Sequence, residues 1–257
     1  MKKTFMLLMA MVMVVMMAAG CGGGEKKAAE APKVLRVGTE PTFAPFEFQK
    51  DGSKEFDGFD MDLIRAIGKQ LNMKVEILNM GFDALIPALN AGNIDVAAAG
   101  MSITPDRQKA VDMSDPYYVA GLVVVVNKDN TAVKGINELN NKGIAVQIGT
   151  TGAERAAKVP GAKVKNFNTN AEVFLELKNK GVEAVIIDKP VAEYFLATGG
   201  GKDYAKIVGD TMEAESYGLS LKKNSPLTKD INKALLDLKK NGEYDKIYAK
   251  WFGAVKK

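Results

Sequence analysis

The 257-residue chain contains no histidine and a single cysteine, Cys21, and these absences exclude several kinds of chemistry. A Ser-His-Asp or Cys-His mechanism needs an imidazole, and typical protein zinc sites need histidine or thiolate ligands. One cysteine forms no internal disulfide, so the fold must be stabilised by a hydrophobic core. We therefore expect neither a metal site nor a cofactor.

The sequence also lacks a strong charge of one sign. Its 35 lysines and arginines exceed its 31 acids by four, which gives a net charge of +4. Without residues 1–20, which hold two lysines and no acids, the net charge falls to +2 (4 − 2). So small a charge does not indicate a nucleic-acid partner.

The longest apolar run, Phe5–Met17, follows two lysines at the N terminus and is short for a membrane span. Small residues connect it to Cys21. This arrangement predicts a lipoprotein signal peptide over 1–20, with Cys21 lipidated and 21–33 a flexible tether, although such signals usually have leucine where this chain has Ala18. An ordinary secretory signal with a chance cysteine is the alternative. Either signal predicts export, and lipidation predicts an extracytoplasmic protein anchored to the bacterial membrane.

Strand-like apolar runs alternate with segments of helical spacing in two successive series. The predicted strands of the first series are 34–39, 74–78 and 94–99, and those of the second include 121–126, 143–148, 163–167 and 182–188. Each series is typical of a helix-flanked, mostly parallel α/β sheet.

Two extended segments, 117–121 and 213–217, connect the two series and are predicted to be hinges. One lobe would comprise 34–116 and 218–257, completed by the C-terminal helices, and the other lobe 122–212. One continuous doubly wound sheet is the alternative.

The end of the predicted strand 94–99 has the features of an anion site. Gly100 offers backbone groups, Ser102 offers a hydroxyl, and Thr104-Pro105 predicts a capped helix start. Ligands of open α/β sheets bind beyond the carboxyl ends of strands, and the fork of Arg107 suits a planar carboxylate. A capped turn with a solvated arginine is the alternative.

Six motifs, in this order and spacing, resemble those of the polar amino-acid-binding proteins of ABC importers. They are TEPTFAPFEF (39–48), GFDMDL (58–63), IPAL (86–89), AGMSITPDR (99–107), SDPYY (114–118) and KWFG (250–253). The resemblance covers essentially the whole mature chain. It implies a two-lobed, type II periplasmic-binding-protein-like α/β fold whose lobes close on a free L-amino acid. It also implies delivery of that ligand to a membrane permease, by a protein that acts as a monomer.

Carried over to this sequence, the resemblance makes Arg107 the partner of the ligand α-carboxylate. Ser102 and the backbone at Ala99 and Gly100 are implied to contact the carboxylate and the α-ammonium.

In the second lobe, the turn 149–152 is implied to hold the carboxylate with backbone amides and with the hydroxyls of Thr150 and Thr151. Asp188 resembles the family's acid for the α-ammonium. The alternative for Asp188 is a cap of the following helix.

Phe43 and Phe82 resemble the aromatic pair that encloses the ligand side chain, although phenylalanines are more often core residues. Glu40 lies where the family usually has an aspartate, and Gln147 where glutamine-binding relatives have a lysine. Because no lysine neutralises Glu40, we expect arginine or lysine in preference to glutamine.

Two other functions remain open. An enzyme on the same scaffold, such as a small-acid dehydratase, would have to use Glu40 and Asp188 as acid and base. A ligand-sensing lipoprotein would present its closed form to a receptor.

Overall fold

The computed structural model describes residues 33–50, 52–198 and 200–253. The predicted signal peptide, Cys21 and the tether up to Pro32 lie outside these ranges. Within them, no helix is both long and apolar enough to cross a bilayer. The same ranges contain no cluster of three or more potential metal ligands.

The first sheet is mixed rather than wholly parallel. Its strands, in spatial order, are β5 (Met73–Asn79), β1 (Lys33–Thr39), β6 (Val96–Ala97), β14 (Ser220–Lys222) and β7 (Val111–Met113). The pairs β1–β5 and β1–β6 are parallel, as expected, whereas β14 is antiparallel to β6 and β7. The predicted strand 94–99 pairs in the sheet only at Val96–Ala97, because the backbone then turns at Gly100 with a φ of +51°.

The second sheet repeats this arrangement. Its strands, in order, are β10 (Lys163–Phe167), β9 (Gly143–Gln147), β11 (Ala184–Asp188), β8 (Tyr118–Asn127) and β12 (Ala205–Val208). The first three are parallel, while β8 runs antiparallel to both β11 and β12. Since the two sheets are separate, the alternative of one continuous sheet is wrong.

The two predicted crossings lie side by side. Strand β13 (Ala214–Tyr217) is antiparallel to the start of β8, with Ala214 opposite Gly121 and Tyr217 opposite Tyr118. An isolated bridge also joins Ser102 to Tyr217. The crossings therefore pass directly beneath the predicted anion site.

Helices cover the sheets through apolar faces. They are α1 (Phe59–Gln70), α2 (Leu85–Ala91), α3 (Pro105–Ala110), α4 (Thr151–Ala157), α5 (Asn170–Lys178), α6 (Lys189–Thr198), α7 (Leu227–Lys240) and α8 (Glu243–Phe252). Leu63, Ile64 and Ile67 share the buried face of α1. The C-terminal helices α7 and α8 pack on this helix, so the chain end completes the first layer as predicted.

The segment after β1 contains a small antiparallel sheet. Its strands are β2 (Thr42–Phe43), β3 (Glu47–Gln49) and β4 (Phe56–Asp57). Phe46 is fully buried beside β3 and packs edge-on against Tyr118 and Tyr217 of the crossings. This aromatic packing places Phe43 and Glu47 at the floor of the cleft.

Candidate ligand-binding site

A small cavity lies where strands of both sheets end, the location expected for ligands of α/β sheets. All eleven residues singled out from the sequence line it, together with one that was not. They are Glu40, Phe43, Phe82, Ala99, Gly100, Ser102, Arg107, Gln147, Thr150, Thr151 and Asp188, and the additional residue is Glu47.

The turn after β6 borders this cavity. Gly100 has a positive φ, and a Cβ atom there would lie 2.6 Å from Cε1 of Phe43. Its N–H donates to Oδ2 of Asp60 at 2.9 Å, and the same oxygen accepts the hydroxyl of Tyr117 at 2.6 Å. Asp60 therefore fixes the backbone on which the predicted anion site depends.

Arg107 follows from the local sequence. Thr104 caps α3 by accepting the N–H of Arg107 at 3.2 Å, with Pro105 at the first helical position. The short helix returns the Arg107 side chain to the cavity, where it is only 8% exposed. The turn is thus capped as predicted, but the alternative of a solvated arginine is wrong.

The guanidinium of Arg107 joins both sheets. Nη1 donates to the carbonyl of Ser102 at 2.8 Å, and Nη2 donates to the carbonyl of Gly149 at 2.9 Å. The group also lies 5.4 Å from the ring centroid of Phe82. Burial lowers the pKa of Arg107, although arginine remains charged in proteins. The cavity therefore holds a positive charge with N–H groups to spare, because five are available and two are used here.

A second link between the sheets involves the predicted specificity residues. Nε2 of Gln147 donates to Oε2 of Glu40 at 2.8 Å, and Thr42 donates its hydroxyl to the same oxygen at 2.7 Å. Asn170 donates to Oε1 of Gln147 at 2.8 Å, which sets the orientation of the amide. The Gln147 amide thus offers its N–H to Glu40 without adding charge.

Among the described residues several carboxyl groups are buried, whereas Arg107 is the only buried cation. Burial raises the pKa of Asp60 and Asp188 to about 7 each, raises that of Glu40, and raises that of Glu47 well above its usual range. Among the described residues, Oδ1 of Asp188 and Oε2 of Glu47 have no hydrogen-bond partner. Unpaired buried carboxyl oxygens are costly unless a donor reaches them. The cavity is therefore suited to a ligand that carries positive charge.

The sequence profile described as "Bacterial extracellular solute-binding proteins, family 3" matches residues 35–254. The chain belongs to this family. The resemblance found from the motifs is thereby confirmed at the level of the family.

Relatives of this solute-binding protein match it over most of their length. A probable histidine-binding protein of Neisseria gonorrhoeae is 34% identical over 229 residues, which are 88% of this chain and 85% of the relative. The arginine-binding extracellular protein ArtP of Bacillus subtilis (strain 168) is 33% identical, with 87% and 88% covered. The solved structure of an ancestral arginine-binding protein bound to arginine is 47% identical. Its TM-score is 0.83, with 87% of this chain and all of that chain covered. The two-lobed α/β fold expected from the resemblance is confirmed by this similarity.

Three positions of this solute-binding protein were missed from the sequence. Glu47 lies on a three-residue strand between two phenylalanines, too short for any periodicity to show that it is buried. Asp60 lies in the GFDMDL motif, but nothing in that motif predicts its hydrogen bond to Gly100. Glu215 contacts Ser102, 113 positions earlier in the chain, and no local pattern could reveal that pairing.

The buried acids predict an unusual pH dependence of folding stability. An acid whose pKa is raised from 3.8 to about 7 binds a proton in the folded state that the unfolded chain has already released. Stability must therefore fall as pH rises from about 4 to 7, by at most about 1.4 kcal/mol per pH unit for each such group. We expect the ligand-free protein to have a higher Tm at pH 5.5 than at pH 8.

Replacing Asp60 with asparagine removes one buried acid with a raised pKa. The decrease in Tm from pH 5.5 to pH 8 should therefore be smaller in Asp60→Asn than in the parent protein. Asp106→Asn, at an exposed position of α3, is the matched control and should leave that loss unchanged. Thermal unfolding followed by circular dichroism measures both variants. A Tm that rises with pH over this range in the parent protein would contradict the assignment of the buried acids.

Proposed function

We propose that this solute-binding protein captures a free polar amino acid by lobe closure and delivers it to an ABC importer without catalysing a reaction. It would bind arginine or lysine in preference to glutamine. The observation that carries the proposal is that Arg107 on α3 and Asp188 at the end of β11, which are of opposite charge, line one small cavity. These charges are complementary to the carboxylate and the ammonium that every free amino acid carries.

The carboxylate is assigned to Arg107 and the backbone amides around the turn 149–152. The guanidinium retains N–H donors beyond its bonds to the carbonyls of Ser102 and Gly149. Thr150 caps α4, which orders the neighbouring backbone amides at the start of that helix. Arg107 is buried, and low local polarity strengthens its bonds to a charged group.

The α-ammonium is assigned to Asp188. Its Oδ1 is buried and has no partner among the described residues, although it borders the cavity. An ammonium group has three donors and no acceptor, so it satisfies this oxygen and favours the ionised carboxyl.

The far end of the ligand would lie between Phe43 and Phe82, near Glu40 and Glu47. These two acids have no basic partner at the distance of an ion pair among the described residues. Gln147 occupies the position of the lysine found in glutamine-binding relatives and leaves the charge of Glu40 in place. A cationic side chain therefore fits this end better than a neutral amide. Relatives named histidine- and arginine-binding support the same choice.

Closure would occur about the paired crossings 117–121 and 213–217, with lobes 34–116 plus 218–257 and 122–212. The ligand favours the closed state because Arg107 and Asp188 contact it together only when the lobes meet. The predicted lipidation of Cys21 would hold the protein beside its permease. Export of a Cys21→Ser variant in soluble form, against a membrane-bound parent, tests that anchor.

Isothermal titration calorimetry with the twenty amino acids tests the proposal. We expect submicromolar binding of arginine or lysine and weaker binding of glutamine. Tight binding of leucine, or of no amino acid, would contradict the proposed ligand class. Mass spectrometry of the amino acid after incubation should show no product, and a product would favour the dehydratase.

Glu40→Gln is the sharpest test of the preference for a cation. The substitution keeps the size of the side chain but removes its charge, so arginine affinity should fall at least about tenfold and glutamine affinity less than about threefold. Calorimetry with both ligands measures the ratio. Glu55→Gln, at an exposed glutamate outside the cavity, is the control. Equal losses for arginine and glutamine would remove Glu40 from the specificity site.

A further inference from the structure

One carboxylate outside the predicted site holds two hydroxyl groups of the cavity at once. Ser102 donates its hydroxyl to Oε2 of Glu215 at 2.6 Å, and Thr151 donates its own to the same oxygen at 2.7 Å. Ser102 follows the first sheet, Thr151 begins α4 on the second, and Glu215 lies on β13 between them. A single oxygen thus connects the crossing to both walls of the cavity.

These bonds determine what the two hydroxyls can offer a ligand. A hydroxyl has one hydrogen to donate and lone pairs that accept, whereas an ionised carboxylate only accepts. The hydrogens of Ser102 and Thr151 are therefore directed to Glu215. Both residues also line the cavity, so towards it their oxygens can act only as acceptors.

The third hydroxyl of the cavity is committed in the same way. Thr150 donates to the carbonyl of Gln147 at 2.8 Å and accepts the N–H of Ala153 at 3.1 Å. No cavity hydroxyl among the described residues has a free hydrogen for an anion. This changes the expectation that the hydroxyls of the turn 149–152 hold the ligand carboxylate, which is left to Arg107 and to backbone N–H groups.

We propose that Glu215 is a positioning residue that makes Ser102 and Thr151 hydrogen-bond acceptors and thereby selects for the ligand's α-ammonium group. The inference rests on the proposed function, because it assigns a role within an amino-acid site. An ammonium group donates and cannot accept, so it complements these oxygens, whereas a carboxylate would face their lone pairs. Ser102 and Thr151 would then share the ammonium end of the cavity with Asp188.

The substitution Glu215→Gln tests this role because glutamine has nearly the same shape but can donate as well as accept. The hydroxyls are then free to reverse their direction. We expect arginine affinity to fall at least about tenfold, since bonds to a charged ligand group are lost. The exposed Glu138, outside both crossings and the cavity, supplies a matched control. Glu138→Gln removes the same charge and should change affinity less than about threefold.

A second background separates positioning from general electrostatics. The Ser102→Ala, Thr151→Val double variant lacks both hydroxyls. Adding Glu215→Gln to it should lower arginine affinity less than about threefold. The α-deamino analogue of arginine, 5-guanidinopentanoic acid, should lose less than about threefold when Glu215→Gln is made in the parent protein. Calorimetry, with displacement titration for the weak analogue, measures all of these affinities.

The outcomes distinguish the two proposals. A parent protein that binds none of the twenty amino acids rejects the proposed function and this inference with it. In another outcome the parent protein binds arginine, and Glu215→Gln lowers arginine affinity equally with and without the two hydroxyls. That result rejects this inference alone. If another amino acid binds more tightly than arginine, the experiments use that amino acid and its α-deamino analogue in place of arginine and 5-guanidinopentanoic acid. The expected changes in affinity stay the same.

Discussion

Replacing Arg107 with alanine is expected to weaken arginine binding at least about a hundredfold. The guanidinium lies in a cavity closed by both sheets, where it donates to the carbonyls of Ser102 and Gly149. Its removal would leave the ligand carboxylate buried without a charged partner, which costs on the order of 3–5 kcal/mol. Each 1.4 kcal/mol corresponds to about tenfold in affinity. Calorimetry on the purified variant measures this loss directly.

Two further variants define the cause of the loss. Arg107→Lys retains the charge without the planar fork and should fall between the parent and the alanine variant. Lys109→Ala removes an exposed charge from the same helix and should leave binding unchanged. Tm values of the ligand-free proteins show whether the fold survives. An Arg107→Ala protein that binds arginine within about threefold of the parent would remove Arg107 from the site.

Replacing Asp188 with asparagine is expected to weaken arginine binding at least about a hundredfold. It should also alter the pH dependence of binding. Burial raises the pKa of this carboxyl to about 7 in the ligand-free protein, where Arg107 and Glu215 are its charged neighbours. The ligand ammonium binds the ionised form. Affinity should therefore be full above pH 7 and fall below it by up to about tenfold per pH unit, as one proton must be released.

The asparagine variant has no such proton to release. Its weak residual binding should therefore lack the fall in affinity below pH 7 that Asp188 causes in the parent. Asp106→Asn, at an exposed position of α3, is the control and should leave both the affinity and its pH dependence unchanged. Titrations between pH 5.5 and 8, in buffers of different ionisation enthalpy, measure both affinity and proton release. The assignment fails if Asp188→Asn keeps the parent's affinity or its full slope.

Many features of the site follow from short stretches of the chain. Thr104, Pro105 and Arg107 specify a capped turn within four positions, and Gly100 permits the positive φ that precedes it. Motifs at strand ends identify residues on one side of a sheet, because the carboxyl ends of parallel strands share an edge. All eleven residues selected from the sequence, most of them through the family resemblance, line one cavity, while their contacts with ligand remain predictions.

The pairing of distant segments could not be predicted in this way. The spacing predicts 121–126 as a strand of a mostly parallel series, but it does not predict that β8 runs antiparallel to β11 and β12, or β14 to β6. Glu47 is buried, although nothing in its local sequence indicates this. Burial depends on neighbours far along the chain, so composition and spacing around a residue do not determine it.

The sequence by itself determined the family, the two-lobed fold, and the location of a site with an arginine and an aspartate. Those properties are encoded in local motifs and in the order of elements. The tertiary structure alone decided the charge balance and the direction of the hydrogen bonds. Asp60 meets Gly100 across 40 positions, and Glu215 meets Ser102 and Thr151 across 113 and 64. Whether a hydroxyl donates or accepts depends on the partner that folding brings to it, and here that partner is Glu215.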